Sequence, residues 1–423
     1  MKVFKFGGAS VNNSSAVKNV ADILRLYKEH NILIVISAMG KTTNALENLT
    51  KAYFNNIIEK ETIFIEIKQY HFKIIDELFS DKQNQIFRTI TEIFNQLYKK
   101  INTSVTDNFD FEYDQIVSYG EIISTLFVSN YLNYKDISNI WVDARKIIKT
   151  DSIYREGKVD WIKTEDCISR SVLPLFNKNE NKIIITQGFI GGSSDGHSIT
   201  LGREGSDYSA AIFAFGLNAE EMIIWKDVPG VLNADPKFFE NTFKLDDISY
   251  REAIELAYYG ATIIHPKTIK PLQNKNIPLY VKSFLNPENQ GTRISNIEKA
   301  DGLIPSFIFK QNQVLISISP KDFSFIAEEN LSEIFNIISD NKIKVNLMQN
   351  SAISFSICID ADNRHFDKLI ETLQQKFKVK YNSNLDLITI RHFDYATIDK
   401  VVRNRKILLE QKSRLTAQII VEN

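Results

Sequence analysis

The chain has 423 residues, 43% hydrophobic and 24% charged, enough for two or three domains with buried cores and unlike a disordered polymer. Lys and Arg number 51 against 52 Asp and Glu, so no global field gathers nucleic acid or an anionic membrane, and an anionic ligand needs a local site. Two cysteines, Cys167 and Cys358, and six histidines without metal-ligand spacing fit a reducing cytoplasm and give no pattern for a structural zinc.

The opening "MKVFKFGGAS" reaches glycines after one short apolar strand. It lacks the apolar run of a secretion signal, and no 18-residue apolar stretch follows. A soluble, cytoplasmic protein is expected. "KVFKF" leads through a Gly-Gly turn into a helix expected near Ser14 to Glu29, and "NILIVIS" leads into another loop and helix. This is the βαβ rhythm of a mostly parallel sheet sandwiched by helices. Residues 50–135 hold few glycines and show i, i+3, i+4 apolar spacing, as in "IFRTITEIFNQL", which predicts a helical layer. Strands are expected again at "NIWVDARKII", "NKIIITQGFI", "EMIIWKDV" and "IPLYVKSF", and the continuous run "IIIT" reads as a strand buried on both faces.

Near residue 300 the pattern changes. "VLISIS" and "AISFSICID" alternate apolar with polar, the pattern of antiparallel strands with one buried face. Between and after them lie helical stretches, the second with Phe366, Leu369, Ile370, Leu373 and Phe377 on one stripe. The order β, α, β, β, α, β describes a split-βαβ unit of α+β type, and a shorter echo runs from "DLITIRH" to "LTAQIIV". Two domains are expected, residues 1–300 and 301–423, joined through "SNIEKADGLIPS".

Five segments carry candidate chemistry. In "KFGGAS", Gly7 and Gly8 permit close approach of the backbone to a phosphate, with Lys5 as a fixed charge beside them; a tight strand-to-helix turn accounts for the glycines equally well. In "VISAMGKTTN", Ser37 and Thr43 follow a strand, where a polar ligand docks outside the carboxyl ends of a parallel sheet, while Thr42 or Thr43 also suits a helix N-cap. Glu121 of "VSYGEIIST" lies in an apolar helix and needs a partner if buried; it suits a substrate ammonium, or else an exposed face or a capping role. In "TLGREGSDYSAA", Arg203 suits a carboxylate and Ser206 an anion, and Asp207 can orient a lysine or magnesium; a helix cap explains Ser206 or Asp207 but not the set. In "WKDVPGVLNADPK", Lys226 and Lys237 flank a rigid loop and suit nucleotide phosphates or, singly, a solvated surface.

Taken in this order, the segments resemble the aspartate kinases of the amino acid kinase family. "KFGGAS" is similar to that family's KFGGTSV, "VSYGE" to VS-x-GE, "LGREGSDYSAA" to GRGGSDYTA, "WKDVPGVLNADPK" to TDVPGIYTTDPR, and "YGATIIHPKTIKP" to its FGAKVLHP segment. The resemblance covers nearly the whole chain and implies a kinase domain over 1–300 and ACT (ferredoxin-like) regulatory units after it. One full ACT is expected about 313–383 and a shortened second one from 301–312 plus 384–423, completed if Ser306 to Lys310 folds back. The implied reaction is phosphorylation of the β-carboxylate of L-aspartate by ATP with Mg2+, the first step towards lysine, threonine and methionine. No fusion to homoserine dehydrogenase is expected.

The resemblance also implies roles. Lys5 would neutralise the transferring phosphoryl group and Asp207 would hold the catalytic lysines. Arg203 would clamp the α-carboxylate of aspartate and Glu121 its ammonium, and Thr43 and Ser206, with Ser37 nearby, would position the acceptor. Gly7, Gly8, Lys226, Asp227, Leu232, Lys237 and Thr262 fall where the nucleotide would lie. Leu232 replaces the family's tyrosine, Lys226 a threonine and Thr262 a lysine, so nucleotide contacts would be rearranged. Glu204 replaces a glycine of the central motif and adds a negative charge beside the substrate. Asn346 and Ala352 stand where lysine-inhibited relatives carry an acidic pair, so the usual partners of a lysine effector are missing. An amino acid effector at the ACT region and a homodimer or larger assembly are expected. The rival readings are a catalytically weak amino acid sensor and a glutamate or acetylglutamate kinase.

Overall fold

The computed structural model describes residues 1–178, 182–261, 264–302, 304–322, 324–361 and 365–422. The chain separates into two compact units. The first comprises Met1–Val231, Asp246–Ile254 and Ile264–Lys299; the second comprises Leu232–Leu245, Glu255–Ile263 and Ala300–Asn423.

The first unit contains β1 (Lys2–Phe6), β2 (Ile32–Ile36), β3 (Ile140–Val142), β4 (Ile183–Gln187), β5 (Ile190–Gly192), β6 (Ser198–Thr200), β7 (Glu221–Lys226), β8 (Asp247–Ser249), β9 (Leu279–Ser283) and β10 (Thr292–Ser295). Eight of these form a sheet in the order β3-β4-β2-β1-β7-β9-β10-β8. Every pairing is parallel except that of β9 with β10. β2 and β4 are buried along their whole length, so "IIIT" is the interior strand that its unbroken apolar run predicts.

Alternation sends Phe4 and Phe6 of β1 to one face, where with Trp225 they join the main apolar core under the helices Ser14–Leu26, Lys60–Leu78, Gln85–Ile101 and Tyr119–Tyr134. Val3 and Lys5 therefore face the other way. The helix Ser14–Leu26 begins at the cap of Asn13, whose side chain accepts from the Ala16 N–H at 2.8 Å. It ends at Leu26, short of the expected Glu29. The glycine-rich segment after β4 forms the hairpin β5-β6.

The second unit contains β11 (Ser306–Pro320), β12 (Val345–Asn350), β13 (Phe355–Asp360), β14 (Phe377–Arg391), β15 (Ile407–Lys412) and β16 (Thr416–Glu422), with helices Glu328–Asp340, Phe366–Lys376 and Tyr395–Val402. The strands form one antiparallel sheet in the order β12-β13-β11-β14-β16-β15. β11 and β14, each 15 residues long, run through the whole sheet. Ser306–Lys310 pairs with the Leu387–Arg391 end of β14, while Leu315–Pro320 pairs with its start. Leu369, Ile370, Leu373 and Phe377 pack with Ile334 and Ile338 against β11 and β13, as the stripe predicts.

Candidate active site

The parallel order places the carboxyl ends of β4, β2, β1 and β7 side by side, where a doubly wound sheet offers a crevice. The loops leaving them are laced together: Ser37 N–H donates to the Phe6 carbonyl at 3.1 Å, Gly188 N–H to Ile36 at 3.0 Å and Gly40 N–H to Gly8 at 3.0 Å. A Cβ on Gly8 would lie 2.7 Å from the Ala38 oxygen and 2.9 Å from that of Gly40. Contact between two loops therefore requires this glycine. A Cβ on Gly7 would meet the Lys5 ammonium at 3.3 Å, so its absence leaves room around that charge.

Lys5 and the start of the helix Gly205–Gly216 meet there. The Lys5 ammonium lies 2.7 Å from Asp207 Oδ1, with side chains 12% and 6% exposed. Asp207 is in the first turn of that helix, which has Glu204 as its cap, in the left-handed region at φ 52° and ψ 30°, with no side-chain cap bond. Neither Ser206 nor Asp207 is the cap that the sequence allowed, because both lie inside the first turn and the Asp207 carboxylate is turned to Lys5. Ser206 packs against Gly188, where a Cβ would come within 2.6 Å of the serine Cβ.

Glu121 is buried rather than exposed. Its Oε1 accepts from the Ala38 N–H at 3.3 Å; its Oε2, also buried, has no hydrogen-bond partner among the described residues. Burial pushes its pKa up to about 8. An unpaired buried carboxylate oxygen beside the β2 loop fits a cationic ligand. The Ser124 hydroxyl donates to the Ser37 carbonyl at 2.7 Å, fixing Glu121's helix to that loop. Thr43 is half-buried in the first turn of the helix Thr42–Phe54. The cap is Lys41, not Thr42 or Thr43, and the Thr42 hydroxyl instead donates back to the Met39 carbonyl at 2.6 Å.

Arg203 is exposed and has no hydrogen-bond or ion-pair partner among the described residues. Lys226 closes β7, half-buried, and exposed Asp227 follows it. Leu232 and Lys237 belong to the second unit, where Leu232 bridges to Lys244 and the Lys237 N–H donates to Asp235 at 2.9 Å. Thr262 lies outside the described residues.

Lys267 and Asp114 were not singled out in the sequence, and Glu204 was read there only as an added negative charge. Glu204 Oε2 accepts from the His265 N–H at 3.1 Å, which gives its side chain a structural partner. Lys267 donates to the Leu201 carbonyl at 3.0 Å and stacks on Tyr208. Asp114, fully buried, accepts from the Thr200 N–H and hydroxyl and from the Arg155 N–H. A carboxylate inside "FEYDQIV" was the available signal for Asp114. Among the described residues, no group of three or more His, Cys, Asp or Glu is arranged to hold a metal, and no helix is long and apolar enough to cross a membrane.

The model of the amino acid kinase family matches residues 1–283. The chain is 30% identical over 359 residues to lysine-sensitive aspartokinase 3 of Escherichia coli, covering 85% of this chain and 78% of that protein. Its fold matches E. coli aspartokinase III solved with lysine and aspartate in the T-state, with a TM-score of 0.84 at 27% identity, covering 100% of this chain and 96% of the other. The same enzyme solved with aspartate and ADP in the R-state matches with a TM-score of 0.83, again at 27% identity and with the same coverage. By the family match and by these relatives, this chain belongs to the amino acid kinase family, among its aspartokinases.

Proposed function

We infer that the protein is an aspartate kinase, transferring the γ-phosphoryl group of MgATP to the β-carboxylate of L-aspartate to give 4-phospho-L-aspartate and ADP. The observation that carries this reading is the buried Lys5–Asp207 pair at the junction of β1 and the helix Gly205–Gly216. Phosphoryl transfer asks for positioning and charge neutralisation more than for a base, and the acceptor carboxylate is already ionised at pH 7. Lys5 meets the charge that develops on the transferred group, and Asp207 holds the ammonium in place. Glu121 takes the substrate ammonium on its unpaired oxygen, and Arg203 takes the α-carboxylate as a bidentate pair. Ser37, Thr43 and Ser206 position the acceptor. Gly7, Gly8, Lys226 and Asp227 lie on the nucleotide side, with Leu232, Lys237 and Thr262 as further contacts. Magnesium would enter as part of the MgATP substrate and would supply charge neutralisation at the phosphates.

Residues 1–300 form the kinase domain in this reading and 301–423 the ACT region. The latter binds an amino acid effector, and the protein works in the cytoplasm as a homodimer or larger assembly. The similarity to a lysine-sensitive relative supports regulation. In this chain Asn346 is already occupied, accepting from the Lys310 ammonium at 2.9 Å.

The test is incubation with MgATP and aspartate, glutamate or acetylglutamate in turn, trapping acyl phosphate as hydroxamate. Product with aspartate alone is expected; product with none of the three, together with amino acid binding by calorimetry, overturns the enzyme in favour of a sensor. Repeating the aspartate assay with lysine, threonine or methionine identifies the effector.

A further inference from the structure

Arg203 has a planar fork that must meet a carboxylate at a set angle, yet its own side chain is held by nothing among the described residues. The backbone on both sides of it is held. Upstream, the buried Asp114 carboxylate accepts from the Thr200 hydroxyl at 2.6 Å, the Thr200 N–H at 3.0 Å and the Arg155 N–H at 2.9 Å. The Arg155 guanidinium does not share this carboxylate; it pairs with Asp110 at 3.3 Å and stacks on Tyr113. Between Asp114's contacts and Arg203, the Leu201 carbonyl accepts from Lys267. Downstream, Glu204 bonds the His265 N–H at the start of the helix Pro266–Asn274.

Glu204 does this from a left-handed backbone that glycine adopts freely and a glutamate does not. A glycine there would relax the turn and lose the strut. A strained residue next to a ligand-binding side chain suggests a gain at the site.

We propose that Asp114 and Glu204 are positioning residues that aim the Arg203 guanidinium at the α-carboxylate of the amino acid substrate. This rests on the aspartate kinase reading. Asp114 fixes where the segment enters and Glu204 where it leaves, so Arg203 stands between two tethered ends. The site then selects the α-amino acid with an arginine whose backbone position is set before substrate arrives.

The experiment measures KM for aspartate and for ATP separately in wild type, Glu204→Gly, Glu204→Gln, Asp114→Asn, Arg203→Ala and the Arg203→Ala/Glu204→Gly double variant. Glu204→Gly is expected to raise the aspartate KM about fivefold or more, with ATP KM within about twofold and Tm at or above wild type. Glu204→Gln, which keeps an acceptor oxygen, recovers most of the loss. In the Arg203→Ala background, Glu204→Gly adds less than about 1.5-fold, because residues that act through one group are not additive. Asp114→Asn follows the same pattern; should it fail to fold, the Glu204 series decides. An unchanged aspartate KM in Glu204→Gly, or the full effect persisting without Arg203, overturns the proposal while wild-type turnover leaves the kinase reading standing. Wild type that phosphorylates no aspartate overturns that reading and this inference with it.

Discussion

The two sheets distribute their polar groups in different ways. In the first, β2 and β4 are buried from end to end, so the candidate site residues gather where strands stop: Ser37 after β2, Ser206 packed on Gly188 after β4, and Lys226 at the end of β7. In the second, alternation leaves polar residues within the sheet itself. Gln313 and Asn346 both donate to Asp360 at 2.9 Å, and Asn346 also donates to Gln313 at 2.8 Å. Lys310 joins through Asn346. A parallel sheet buried on both faces thus sends its chemistry to one edge, whereas the antiparallel sheet holds a polar network along its strands. The first arrangement suits catalysis on a ligand outside the strands. The second is itself satisfied and suits a role in specifying the fold.

The largest expected break in this contrast is Asp207→Ala. It removes the partner of Lys5 at the strand-end site and should lower kcat by about 10³-fold or more, with the circular dichroism of the wild type retained. Near-normal turnover would remove Asp207 from the centre of the site.

Glu121→Gln comes next. Loss of a charged partner for the substrate ammonium should raise the aspartate KM by roughly tenfold to a hundredfold and leave the ATP KM in place. The same residue sets a pH dependence. Its carboxyl titrates at about 8 in the folded protein against an ordinary 4.5. Between those values the folded state holds a proton that the unfolded state has lost, so this contribution is whole below about pH 4.5 and falls away as pH rises to about 8. From pH 6.5 to 8, stability of the unliganded protein should fall by about 2 kcal/mol. Denaturation of Glu121→Gln over the same range should lack that component. Asp114, pushed up to about 6 by burial, acts mostly below this window.

The proposed strand-end residues stood out in the sequence because they sit within two or three positions of a strand's end or a helix's start. Lys5, Glu121 and Asp207 all carried such marks, and "IIIT" announced an interior strand. The tethers were less legible. Asp114 serves Thr200, which lies 86 positions further along the chain, and Glu204 serves His265, 61 positions on. Nothing local to either carboxylate names its partner. Helix caps were misplaced for a related reason: the hydroxyls and carboxylates near those starts bond elsewhere, as Thr42 does to Met39 and Asp207 to Lys5. In the second unit, alternation foretold antiparallel strands, but not that β11 and β14 would each continue for 15 residues through a register shift between Lys310 and Leu315.

The smallest expected effect lies in that antiparallel sheet. Asn346→Ala deprives Lys310, Gln313 and Asp360 of a shared partner. Because Asn346 is partly exposed and water can replace it, the cost should be about 1 kcal/mol, read as a lower thermal midpoint. A loss several times larger would mean that the network carries the sheet rather than decorating it.

The most direct measurement of the central claim labels the acceptor. L-aspartate carrying oxygen-18 in its β-carboxylate is incubated with the protein, MgATP and hydroxylamine, and the released phosphate is examined by phosphorus NMR. Attack of the carboxylate on the γ-phosphorus puts one labelled oxygen in the bridge, and hydroxylamine attack at the acyl carbon leaves it on phosphate. One oxygen-18 per phosphate released is expected; unlabelled phosphate would mean that ATP is hydrolysed by water, and would contradict carboxylate attack.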